Sequence, residues 1–360
     1  MTRSNSTAVY ITAASVLNAA GTECAPRDSQ PQAAQPLDFD PARLARCVAA
    51  PALPAGVYDR KLSRSLEPQG ARLLYCAGRL AETLRGLELP DERIALTAAI
   101  PEVDGPSSCW DAVQAIGAQP ADLLAQFFAH TPPLHALMML NSSVMAHAAE
   151  ALRCKGPMGG FCSQGNAGLD ALMEAAAHLS EGRADAAVVV SSSPNITPAL
   201  YLRDATHPPV NPGPWVLGEG AAALLLTTKP GRGAQSALRI AGFARGYSAQ
   251  PERGLAVGRD VIERALSNEK LCLSDVGQVV ADAQDPQIAA LFTLSGHTLE
   301  HSKALVGDLG ASALLSEIAV TWALDCSRYT LLLEHSRGGH WGAVLLARTS
   351  SDTETMESYP

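Results

Sequence analysis

The chain has 360 residues, 47% of them hydrophobic and 18% charged, and a formal net charge of −9. That length exceeds one ordinary hydrophobic core, and that composition excludes a disordered chain. The acidic sum excludes a broad basic face for nucleic acid and points to no anionic lipid surface. Aromatics are only 5%, so small side chains dominate, which suits close packing of helices on sheets.

The eight cysteines are Cys24, Cys47, Cys76, Cys109, Cys154, Cys162, Cys272 and Cys326. None forms a C-x-x-C pair and none is grouped with histidines at zinc spacing, so no metal site is expected. Reduced thiols in the cytoplasm are the expectation. The polar start, residues 1–7, precedes an apolar run at 8–17 that has no basic flank and is too short to span a bilayer. Neither a signal peptide nor membrane insertion is expected.

Residues 9–16 read as a buried strand, and the Pro-, Gln- and Asp-rich stretch 24–40 as a loop. Leu73, Leu74, Ala77, Leu80 and Leu84 recur at helical spacing, which predicts a helix over 73–84. A strand follows at 93–100, then helices at 121–129 and 142–152. Residues 155–162 read as a strand, and the turn 163–166 leads into a helix at 167–179 with Leu169, Leu172, Met173 and Ala176 on one face. The apolar runs 184–190 and 221–226 read as strands covered on both sides. After residues 229–233 the pattern restarts: strand 237–242, helix 261–266, strand 276–281, helix 309–324, strands 329–334 and 342–348. Strand and helix alternate twice over, which predicts an α/β protein of two similar halves, 1–232 and 233–360. No short repeat of the solenoid kind occurs.

Several motifs stand in a fixed order. They are His147, Gly156-Pro157, Gly165-Asn166-Ala167-Gly168-Leu169, Leu217-Gly218-Glu219-Gly220-Ala221, Lys303 with Gly307-Asp308-Leu309-Gly310-Ala311, and Gly338-Gly339-His340. Together they resemble the β-ketoacyl synthases of the thiolase fold, over roughly residues 9–349. The resemblance implies a layered αβαβα architecture. It also implies what the chemistry requires: a cysteine at a helix N-terminus that takes the acyl chain, and two histidines that stabilise the charge developing as carbon dioxide leaves.

The position matching the nucleophile, eight residues after Pro157, is Gly165, which has no side chain to acylate. Its neighbour is Gln164. In chain-length factors, the inactive partners of type II polyketide synthases, a glutamine commonly replaces this cysteine; here one residue more separates Gln164 from Leu169. Asp308 stands where the resemblance calls for the second histidine, with one residue fewer before Gly310-Ala311. The first histidine should follow the strand 276–281, but the sequence there is Asp282-Ala283-Gln284-Asp285-Pro286, with Ala283 at the degenerate position. Glu219 is expected to close its Gly-Glu-Gly turn through backbone hydrogen bonds, and Lys303 to hold a buried salt bridge.

Two alternatives remain open. One is a divergent acyltransferase using Cys162 or Ser163; the bland reading of Cys162 is a buried strand cysteine. The other is a homodimer that binds acyl carriers. The glycine spacing at 160–165 is Walker-like, but Asn166-Ala167 stands where phosphate binding needs Lys and Ser or Thr, and no Gly-x-Ser-x-Gly elbow is formed.

The resemblance implies a role without catalysis. Such a chain would form a heterodimer with an active ketosynthase by pairing the strand at 158–162, and would close the partner's acyl tunnel. The tunnel and interface candidates are Trp110, Met138, Met139, Met158, Phe161 and Cys162. Bulk at Trp110, Met138 and Met139 would shorten the cavity, though ordinary packing would use the same residue types. The implied partners are the ketosynthase and an acyl carrier protein with a phosphopantetheine-bound chain. The chain is short over 21–60, which resembles the slim partner subunits of aryl polyene and highly reducing type II polyketide systems. No cofactor is expected.

Overall fold

The computed structural model describes residues 7–22, 33–59, 61–62, 66–101, 123–131, 141–211, 213, 215–230, 236–300, 303–324 and 327–350. Among the described residues ten strands form one mixed sheet. Their spatial order is Leu299–Glu300, Gln278–Ala281, Tyr329–His335, His340–Ser350, Ser236–Tyr247, Val9–Leu17, Ala221–Thr227, Ala186–Ser192, Ile94–Ala99 and Met158–Phe161. The two halves of this sheet repeat one topology. Numbered in chain order within each half, the strands lie in the order 1-5-4-2-3 both times. In each half the first three neighbours pair antiparallel and the last three parallel. The halves join where Val9, Tyr10 and Ile11 pair with Ile240, Arg239 and Leu238.

Three layers of helix enclose the two half-sheets. The period of two in each strand decides which side chain meets which layer. Leu224 and Leu226 face the central helices Ala167–Ser180 and Ala313–Ala323, while Leu225 faces the outer helices Pro68–Arg79 and Asn141–Leu152. In the second half Val344 and Leu346 turn to the central layer, and Leu345 turns to the helices Pro251–Ser267 and Pro286–Phe292. The result is a layered αβαβα stack. Buried on both faces, Ala186–Ser192 and Ala221–Thr227 need the continuous apolar runs seen in the sequence. Each fully buried Val or Leu there contributes roughly 1.5–3 kcal/mol against leaving it exposed.

Gly168 lets the first central helix pack closely on the turn that precedes the second. A Cβ there would lie 3.0 Å from the carbonyl oxygen of Ala311. The helix expected over 309–324 starts later, at Ala313. Gly310 takes the left-handed φ of +53°, and a short 3-10 turn at Gly310–Ser312 precedes the helix. The helix expected over 261–266 extends to Pro251–Ser267, and a proline at its first turn sets its start. The stretch read as a loop over 24–40 ends in a hairpin, Gln35–Leu37 with Asp40–Arg46, which forms a small sheet with Leu217–Gly218. Among the described residues no helix is long and apolar enough to cross a membrane.

Candidate functional site

The site is built where the edge strand Met158–Phe161 runs into the central helix Ala167–Ser180. A 3-10 turn over Gln164–Asn166 makes the connection, and the amide of Asn166 donates to the carbonyl of Ser163. Gly165 is buried in that turn against Ser336. A Cβ on Gly165 would lie 2.1 Å from the Cβ of Ser336 and 2.7 Å from its Oγ. Real side-chain carbons do not approach so closely, so the space for a side chain at 165 is already filled from the other half of the molecule.

Asp308 arrives from that half. Its amide donates to the carbonyl of Val216 and its carbonyl accepts from the amide of Gly218, each at 2.9 Å. Its carboxylate accepts the Gly310 N–H at 3.0 Å, which fixes the turn below the central helix. Nearby, Lys303 and Glu334 form a buried ion pair, Nζ to Oε1, at 2.6 Å, with the ammonium 4.6 Å from the ring centre of Trp215. Burial opposes charge on Lys303, but Glu334 and Asp308 overcome it and hold the lysine above its ordinary range. Burial pushes Glu334 up to about 7 against the pull of Lys303. The buried salt bridge expected of Lys303 is therefore present. Glu219 accepts the Ile196 and Val48 amides at 3.0 Å and pairs with buried Arg72 at 3.2 Å, so it ties three segments rather than one turn.

Ala283 does not join this site. It is exposed in the loop after Gln278–Ala281 and is not among the described residues lining the cavity. Asp285, two residues on, does the structural work there. It caps the helix Pro286–Phe292 by accepting the Gln287 and Ile288 amides, and its Oδ2 lies 2.7 Å from Nδ1 of His335. His335 stacks on Trp341 with ring centres 3.9 Å apart. The sequence reading missed this buried pair, because its two members lie 50 residues apart with no shared motif.

Gly165 and Asp308 line one cavity of about 540 Å³. Its apolar wall includes Pro194, Ile196, Leu200 and Leu217, and its polar groups include Arg203, Asp204, His207 and Arg337. No cysteine is among the described residues lining it. Cys162, expected as a buried strand cysteine, is exposed. The strand stops at Phe161, so the next residue leaves the sheet before the helix begins. Ser163 donates a short hydrogen bond to Asp170, which pairs with Arg245 at 2.8 Å. Met158 is exposed and Phe161 half-buried on the sheet's outer edge. Trp110, Met138 and Met139 lie outside the described residues.

No family model and no curated protein matches the chain. Solved structures do. A β-ketoacyl synthase from Burkholderia phymatum STM815 superposes with a TM-score of 0.72 at 18% identity, covering 95% of this chain and 100% of that one. A chain of the ishigamide ketosynthase/chain length factor gives 0.69 at 17%, covering 94% and 99%. The complex of a type II polyketide synthase acyl-carrier protein with its ketosynthase bound to the hexaketide, AntDE:AntF, gives 0.70 at 14%, covering 95% and 99%. The chain has the β-ketoacyl synthase fold. Within that fold Gly156-Pro157 leads into the edge strand Met158–Phe161, Leu217 bridges to Asp308, and Gly338-Gly339 lies in the turn before the last strand, His340–Ser350.

Proposed function

We propose that this chain is a non-catalytic ketosynthase-like subunit of the chain-length-factor kind. It forms a heterodimer with an active ketosynthase and shapes that partner's acyl tunnel while chains grow on an acyl carrier protein. One observation carries the reading: the residue at the nucleophile position, Gly165, has no side chain, and Ser336 fills the space one would need. Asp308 supports it, because a buried carboxylate repels the enolate that an imidazole would stabilise. The edge strand Met158–Phe161 supports the partnership. Among the described residues it pairs on one side only, and an unpaired sheet edge is a template for another chain. Two of the similar structures include a chain length factor or an acyl-carrier protein in their complexes.

Intact-mass measurement of the purified chain after incubation with an acyl thioester tests the absence of catalysis. The unmodified mass is expected. An acyl adduct that disappears in Cys162→Ala would overturn the reading in favour of a divergent acyltransferase.

A further inference from the structure

No cysteine is among the described residues that line the cavity beside Gly165. Its charged groups are arranged unevenly. Arg203 and Arg337 share one carboxylate, Asp204: Arg203 Nη2 lies 3.3 Å from Oδ1, and Arg337 Nη1 lies 2.8 Å from Oδ2. Asp204 Oδ2 has no hydrogen-bond partner among the described residues, and Arg337 meets it as an ion pair. The Arg337 side chain is 24% exposed and lines the cavity one residue from Ser336. A guanidinium carries five N–H donors in a planar fork that matches a carboxylate bidentately. The same cavity is lined by the apolar side chains of Ile196, Leu200 and Leu217. Asp308, which also lines the cavity, opposes an anion, but its carboxylate accepts the Gly310 N–H and lies in the field of Lys303.

We propose that this cavity is a non-covalent receptor for a medium-length alkyl carboxylate, with the carboxylate on the fork of Arg337 and the chain along Ile196, Leu200 and Leu217. The volume of about 540 Å³ falls within the range of roughly 300–1,000 Å³ typical of small-molecule sites. A charged head distinguishes this ligand from the neutral thioester that a nucleophile would attack. The inference rests on the reading that Gly165 ends covalent loading at this position.

Calorimetric titration of the full chain with decanoate tests it, beside decanol and the neutral N-acetylcysteamine thioester of decanoate. Decanoate should bind saturably, and both neutral probes about tenfold more weakly or worse. Arg337→Gln should weaken decanoate about tenfold, and Leu200→Trp, which fills the cavity, should remove binding. Arg337→Lys keeps the charge without the fork, should lose less than Arg337→Gln, and serves where Arg337→Gln does not fold. Equal binding of the thioester and decanoate, unchanged affinity in folded Arg337→Gln, or no saturable binding by the folded chain would overturn the proposal. The chain is assayed alone, so failure here is separate from failure to pair with a ketosynthase.

Discussion

Gly165 and Ser336 belong to different halves of the chain, yet a methyl group on the first would overlap the second, with 2.1 Å between the two Cβ atoms. Gly165→Cys should therefore destabilise the protein by about 1–3 kcal/mol through overpacking. Adding Ser336→Gly should return most of that loss. Denaturant melts of the two variants check this. Equal stability of Gly165→Cys and the parent would show that the turn yields freely.

The ion pair of Lys303 and Glu334 is buried on both sides. Lys303→Ala strands the carboxylate, and a loss of about 3–5 kcal/mol is expected. Replacing both partners, as Lys303→Met with Glu334→Leu, should cost much less, because no buried charge is then left alone. Thermal or denaturant melts separate the two cases.

Glu334 also sets a pH dependence. Burial raises it from 4.5 to about 7 in the folded state. Between those values the folded state holds a proton that the unfolded chain has released, so stability falls as pH rises through this window. Lys303, raised in the folded state, contributes stability that is complete below 10.5 and lost above it, outside the window. His178, lowered chiefly by burial, acts in the opposite sense: its contribution is lost as pH falls below 6.5. The difference between the parent and Glu334→Gln isolates the glutamate. That difference should change across pH 4.5–7 and be flat if Glu334 titrates normally.

Although its side chain reaches solvent, Cys47 should be slow to alkylate at pH 8. Burial and the nearby Glu219 push its thiol up to about 11, which leaves little thiolate. Its rate of modification by iodoacetamide should keep rising as pH approaches 11. A plateau near pH 9, read by peptide mass mapping, would contradict this.

Much of the fold was legible because buried strands such as Ala186–Ser192 and Ala221–Thr227 leave unbroken apolar runs, and the helix Ala167–Ser180 leaves an apolar face. Local patterning did not reveal the hairpin at Gln35–Leu37 and Asp40–Arg46, whose mostly exposed side chains give no alternation. At the site, Gly165 and Asp308 were visible as departures from a motif. The overlap of Gly165 with Ser336, the pair Asp285–His335, and the exposure of Cys162 were not, because each depends on which distant segments meet. Arg337 was equally hidden: its meaning comes from Asp204 on the helix Pro198–Thr206, not from its sequence neighbours.

A partner ketosynthase would attach at the edge strand Met158–Phe161. Native mass spectrometry of the chain co-expressed with a ketosynthase that retains its cysteine and both histidines tests it most directly, with Met158→Lys as the control that places a charge on the edge. A one-to-one heterodimer, lost in Met158→Lys while the variant's melting point is unchanged, is the predicted result. A homodimer of this chain that persists beside the uncomplexed ketosynthase would contradict it.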